Sequence, residues 1–153
     1  MQEVGEIIHH LDFLPRLDLA RELIASPATR PSSMLDLSDG LARDALRLSH
    51  RPDEPAVNLQ IELERLPLSR ACLQATAQSG LPPWQHAIGD GEDYELLFTA
   101  GPGIPQQVAG VRISEIGSVE PATTSQHEVI FVLPDGSTRT RQELTDLGWE
   151  HRA

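Results

Sequence analysis

Apolar positions along the chain change their period several times, and each change predicts an element. Leu17, Leu19, Ala20, Leu23 and Ile24 recur at three- and four-residue spacing, the mark of an amphipathic helix, which Ser26-Pro27 stops. Ser33 to Leu37 is short and apolar and runs into Ser38-Asp39-Gly40, after which Leu41, Ala45, Leu46 and Leu48 resume a helical stripe. That order reads as strand, tight turn, helix. Val57, Leu59, Ile61 and Leu63 alternate strictly and predict a half-buried strand. Pro67 and Ser69 open a further helix through Ala71, Leu73 and Ala75, closed by Gly80 and Pro82-Pro83. Trp84 to Ile88 follows with no decided period.

The second half reads mainly as strands. Tyr94 to Thr99 predicts a strand entered from an acid-rich turn, with Asp93 and Glu95 on one face, Tyr94 on the other and Glu92 left in the turn. Pro105 to Ala109 reads as one helical turn and Val111 to Ile116 as a strand. Glu128 to Leu133 and the stretch after Pro134-Asp135-Gly136-Ser137 predict a hairpin, since Asp-Gly supplies the positive φ angles such turns need. Strands and helices interleave irregularly, so the expected fold class is α+β. Residues 1–14 read as a lead-in and 15–153 as one domain.

Composition narrows the partners. A chain of 153 residues with 39% apolar side chains suits one compact domain. The longest apolar runs, such as Val129 to Leu133, fall far short of the ~20 residues of a membrane helix, and the acidic, amphipathic N-terminus has no signal-like core. A soluble, cytoplasmic protein without membrane contact is expected. Cys72 stands alone, which excludes an intrachain disulfide and a cysteine-built metal site. With 23 acidic against 12 basic residues, the net charge of −11 has the wrong sign for a nucleic-acid partner. All twelve basic residues are arginine, which excludes a P-loop lysine and a Schiff-base lysine. Phosphate chemistry here must use Arg, backbone N–H groups or a metal ion.

Three constellations could carry chemistry. At the strand-to-helix junction Asp36-Leu37-Ser38-Asp39-Gly40, two carboxylates and a hydroxyl could converge beside helix N–H groups, a hard-oxygen set that suits magnesium. The competing reading is plain helix capping, for which Ser and Asp are preferred. Gly89-Asp90-Gly91-Glu92-Asp93-Tyr94-Glu95 packs four carboxylates into six positions, either a cation-relieved site or a solvated acidic turn. Gly148-Trp149-Glu150-His151 offers an aromatic face for a flat cationic ring, or simply an anchor for the tail. The six histidines have no metal-ligand spacing, and Ser38 has no partner that would make it a hydrolase nucleophile.

These same residues carry a family resemblance. Met34 to Leu41, then Leu63-Glu64-Arg65-Leu66-Pro67-Leu68-Ser69, then Gly91 to Thr99, and finally Gly148 to His151 resemble, in this order, the C-terminal half of thiamine-monophosphate kinases. The resemblance runs from about Leu14 to His151. Related enzymes of the aminoimidazole-ribonucleotide-synthetase superfamily carry different residues at the Asp36 to Gly40 junction. The resemblance implies a mixed or antiparallel sheet packed with helices, as in the C-terminal domain of that superfamily. It also implies transfer of the ATP γ-phosphoryl to thiamine monophosphate, giving thiamine diphosphate, with magnesium ions neutralising the phosphates.

Carried over residue by residue, Asp36 and Asp39 resemble magnesium ligands, Ser38 a nucleotide contact, and Glu92 and Trp149 contacts to the thiamine substrate. No residue is assigned covalent catalysis. Asp90 departs from the pattern, standing where the family has the first of two glycines. The resemblance further implies an N-terminal domain, carrying most of the nucleotide pocket and the dimer interface, that this chain begins too late to contain. The 153-residue chain is therefore expected to be inactive alone, as a truncation, one half of a split enzyme, a non-catalytic thiamine-phosphate-binding module or an interaction remnant.

Overall fold

The computed structural model describes residues 13–49, 55–122 and 127–144. Among the described residues, four α-helices accompany three small sheets, the α+β class expected from the interleaved periods. Helix α1 (Leu17–Ala25) buries Leu19 and Leu23, four apart on one face, and gives way to an extended Ser26. Strand β1 (Ser33–Asp36) leads through the tight turn into helix α2 (Leu41–Ser49). Strand β2 (Val57–Glu62) turns its alternate residues Leu59 and Ile61 inward, and a short 3-10 turn (Leu63–Arg65) follows.

Helix α3 (Arg70–Ser79) is bounded as its sequence requires. The Ser69 hydroxyl accepts from the Cys72 N–H at 3.1 Å, and Gly80 closes the helix at φ 74°, a left-handed angle open to glycine at little cost. Pro83 starts helix α4 (Pro83–Gly89), so the undecided Trp84 to Ile88 segment is helical. Strand β3 (Leu96–Thr99) pairs antiparallel with β1, Asp36 opposite Leu96.

Strands β4 (Gln107–Val108) and β5 (Val111–Arg112) form a tight hairpin through Ala109 and Gly110, both at positive φ. The helical turn expected over Pro105 to Ala109 is therefore absent, and the strand expected over Val111 to Ile116 stops at Arg112. The alternation continues instead into β6 (Gly117–Pro121), which the sequence reading did not identify. Strands β7 (Glu128–Val132) and β8 (Thr138–Thr140) form the expected hairpin, whose Gly136 sits at φ 79°.

The main sheet runs β6-β2-β7-β8, antiparallel at both outer pairs and parallel between β2 and β7, with Leu59 opposite Val129 and Ile61 opposite Phe131. Those four side chains form the floor on which α2 lies through Leu41, Ala42, Ala45 and Leu48. Fully burying a side chain such as Phe131 or Ile88 contributes roughly 1.5–3 kcal/mol. Helix α2 also touches β1, β3 and α4, so the junction at its N-terminus is anchored to the core from several sides. Among the described residues, no helix is long and apolar enough to cross a membrane.

Candidate functional site

Two loops that the sequence singled out lie against one another. The β1–β3 ladder continues past its last pair through irregular backbone: Leu37 N–H donates to the Glu95 carbonyl at 2.9 Å, and Tyr94 N–H to the Leu37 carbonyl at 2.8 Å. Glu92 N–H then donates to the Ser38 carbonyl at 2.9 Å. The junction carrying Asp36, Ser38 and Asp39 and the loop carrying Glu92 are thus zipped together by main-chain bonds.

The close approach depends on glycine. A Cβ on Gly91, at φ 75°, would stand 3.0 Å from the Ser38 carbonyl oxygen, and one on Gly40, at φ 93°, would stand 3.1 Å from the Ile88 carbonyl. Glu92 and Tyr94 themselves adopt left-handed φ angles of 59° and 51°, which non-glycine residues hold only when their surroundings impose it. This corrects the expected strand entrance. Regular strand begins at Leu96, so Asp93 and Glu95 do not share a strand face opposite Tyr94.

Charge at the junction is organised by a residue the pattern reading passed over. Asp44, on α2, is 1% exposed, and its carboxylate oxygen Oδ2 accepts from the backbone N–H groups of Ser38 at 2.9 Å and Asp39 at 3.0 Å. Arg47 donates to Asp44 Oδ1 at 2.7 Å through one guanidinium nitrogen and to Asp39 Oδ2 through another. The Ser38 hydroxyl donates to Asp39 Oδ1 at 3.3 Å. The Ser38 hydroxyl is therefore bonded to Asp39, and Asp39 in turn to Arg47. The Arg47 hydrogen bond is the main reason the Asp39 carboxyl titrates below the usual carboxylate range, followed by desolvation opposing it and the Arg47 charge adding to it.

In the acidic loop, Glu95 is held by Arg16, whose Nε donates at 2.9 Å alongside a second guanidinium contact. Phe13 stacks on Tyr94 with ring centroids 4.0 Å apart. His86 Nδ1 meets Asp90 at 2.8 Å, and its Nε2 meets the Ser79 hydroxyl at 2.7 Å, tying the end of α3 to α4. That hydroxyl also accepts from Leu81 N–H, a local turn. By contrast, the carboxylates of Asp36 and Glu92 have no hydrogen-bond or ion-pair partner among the described residues.

A groove of about 290 Å³ opens between α3, α4 and the acidic loop, lined by Cys72, Ala75, His86, Asp90, Glu92 and Asp93 among others. Glu92 faces it; Asp36, Ser38 and Asp39 do not line it, so the three carboxylates adjoin through backbone without sharing this concavity. Burial raises the Cys72 thiol above its ordinary range. No three His, Cys, Asp or Glu side chains among the described residues converge closely enough to hold a metal by themselves. The donors present are nonetheless hard oxygens, and a guanidinium already stands on Asp39 as a cation would. The set fits magnesium held partly by groups from outside these residues, such as phosphates or water. Trp149 lies outside the described residues.

The sequence offered two unused signals for this arrangement. Asp44 falls on the apolar stripe of α2, where a carboxylate must find partners, and Arg47 follows it at the i,i+3 spacing of a helical ion pair. The Arg16–Glu95 pair had none, since its partners are distant in the chain.

No family model matches the chain. It is 32% identical over 133 residues to the thiamine-monophosphate kinase of Rhodopirellula baltica, covering 80% of this chain and 40% of that protein. Against the thiamine-monophosphate kinase of Aquifex aeolicus it is 31% identical over 151 residues, covering 97% and 42%. Among solved structures, it superposes on AaThiL complexed with AMPPCP and TMP with a TM-score of 0.69 at 29% identity, covering 98% of this chain and 42% of that one. A crystal structure of thiamine monophosphate kinase from Aquifex aeolicus gives a TM-score of 0.67 at 32% identity, covering 90% and 41%.

Fold and sequence together define a kinase-type α+β domain. Within that class, the chain belongs to the thiamine-monophosphate kinase family, as a counterpart of its C-terminal domain. It spans about two-fifths of the length of the relatives it matches.

Proposed function

We propose that residues 15–153 form one domain that supplies the C-terminal side of a thiamine-monophosphate kinase site, in a reaction moving the ATP γ-phosphoryl to the phosphate of thiamine monophosphate. The observation that carries this is the backbone zipper that sets Glu92 beside Ser38 and Asp39 while leaving the Asp36 and Glu92 carboxylates unpaired among the described residues. The solved relative bound to AMPPCP, an ATP analogue, and TMP supports both substrates.

In this reading Asp36 and Asp39 would hold magnesium, which when bound neutralises clustered phosphate charge. Ser38 would contact the nucleotide through its hydroxyl. Glu92 would accept hydrogen bonds from the thiamine cation and balance its charge, and Trp149 would stack on it. The absence of lysine is no obstacle, because phosphoryl transfer needs in-line positioning and charge neutralisation more than covalent help. The nucleotide's remaining contacts would come from the part of the family's length this chain does not span, whether in a longer chain or a separate one, with a homodimer as the assembled form. The 153-residue chain alone would then release no ADP. The setting is the cytoplasm.

Calorimetric titration with thiamine monophosphate, with and without magnesium and ATP, tests the proposal. Binding that Glu92→Gln weakens about tenfold, and that magnesium and nucleotide alter, is expected. Binding indifferent to magnesium and nucleotide would make the chain a thiamine-phosphate-binding module, and no effect of Glu92→Gln would remove Glu92 from the site.

A further inference from the structure

Arg47 bridges two carboxylates of unequal burial. Its anchor, Asp44, is almost wholly buried and is fixed by the Ser38 and Asp39 N–H groups. Its other contact, Asp39, is partly buried at 21% exposure, while 57% of the Arg47 side chain is open to water. An ion pair reached by water on its arginine side is screened and can be exchanged for another cation. The Arg47–Asp44 contact involves a different nitrogen and a different carboxylate, so it can persist when Asp39 lets go.

The arrangement also answers an electrostatic problem. Asp36, Asp39 and Asp44 fall within nine residues at one strand-to-helix junction of a chain of net charge −11, and Arg47 bridges the last two. Removing that bridge would leave Asp39 and Asp44 without the charge that joins them. Arg47 is held directly by Asp44 and Asp39, whereas Arg43 acts on Asp39 only through space.

Resting on the magnesium reading of Asp36 and Asp39, we propose that Arg47 is a resident cation that competes with the divalent metal for Asp39: it keeps the junction closed before metal arrives and yields Asp39 to the metal while remaining on Asp44. Arg47 is thus a positioning residue that sets how much metal the site requires. The usual arginine near a phosphate site assists ligand binding; this one opposes metal loading. The sign of its effect separates the two.

The test uses the isotopically labelled chain and manganese as a paramagnetic probe, reading the broadening of the Ser38, Asp39 and Gly40 amide signals as metal is added. Arg47→Met should lower the half-saturating manganese concentration about threefold or more. Arg47→Gln, which retains a donor for Asp44, should shift it the same way and covers the case in which the methionine variant fails to fold. Arg43→Gln removes a neighbouring charge that acts on Asp39 through space and should shift it less, above all at about 0.5 M salt, where distant charges are screened. Unchanged or weakened manganese binding in both Arg47 variants would overturn the proposal, as would an equal effect of Arg43→Gln. The underlying reading has its own control. If Asp39→Asn leaves wild-type broadening unchanged, the metal site itself fails; if Asp39→Asn weakens it while the Arg47 variants do not tighten it, only the competition fails.

Discussion

The backbone N–H of Glu92 donates to the carbonyl of Ser38 at 2.9 Å. Because the bond is made by main chain, it fixes where Glu92 stands regardless of its side chain, and leaves its carboxylate unspent. The same carbonyl lies 3.0 Å from where a Gly91 Cβ would be, so one oxygen both receives the loop and limits what can approach it.

Gly91→Ala should therefore open the zipper. The new methyl would meet backbone atoms of Ser38, Asp39 and Gly40, which cannot rotate aside, and its φ of 75° adds strain. A loss of about 1–3 kcal/mol is expected in urea unfolding, larger than that of Gly80→Ala, where φ is 74° but nothing stands within 4 Å. Equal losses in the two variants would show that the two loops are not tightly apposed.

Much of this was legible in the chain because it rests on local rules. The helices at Leu17, Leu41 and Arg70 and the strand at Val57 follow from spacing, caps and alternation, and Asp135-Gly136 fixed the last hairpin. What failed locally did so for identifiable reasons. Ala109 and Gly110 turn the chain where Pro105 to Ala109 read as helix, and left-handed Glu92 and Tyr94 delay the strand to Leu96. The site residues Asp36, Ser38, Asp39 and Glu92 stood out by type, and their adjacency followed from the family resemblance. The roles of Arg16 and Arg47 depend on tertiary pairing, which no period announces.

Asp44 makes a second prediction. Asp44→Ala leaves the Ser38 and Asp39 N–H groups without their acceptor and Arg47 without its buried partner. A loss of about 3–5 kcal/mol is expected from breaking a buried charged network, with Asp44→Asn costing less because one oxygen still accepts. Amide exchange should accelerate at Ser38 and Asp39 before the core opens. A cost under about 1 kcal/mol for the alanine variant would mean that Asp44 does not organise the turn.

Gly117 governs the sheet edge. Its Cβ would fall 1.9 Å from the Gln60 carbonyl oxygen, a distance no side chain can occupy, so Gly117→Ala must lift β6 off β2. The expected cost exceeds about 2 kcal/mol, with loss of cross-strand contacts between Ile61 and residue 117 in nuclear Overhauser spectra. Retention of those contacts at wild-type stability would contradict the observed register.

Acid titration tests the Asp39–Arg47 pair directly. Asp39 titrates below its ordinary value of 3.8 in the folded state, chiefly because Arg47 donates to it, while Arg47 is pushed further up and stays protonated throughout. A depressed carboxyl binds its proton less readily folded than unfolded. The pair's stabilisation is therefore fully present above the unfolded value and disappears as pH falls through the lower folded one. Urea midpoints measured from about pH 7 to about pH 2.5 should fall less steeply for Asp39→Asn than for wild type, the variant being weaker at neutral pH and converging on wild type in acid. Arg47→Met should flatten the same limb, because it removes the partner that depresses Asp39. A wild-type slope in both variants would mean the pair does not form in solution, and Arg47 would then have no hold on Asp39 for a metal to contest.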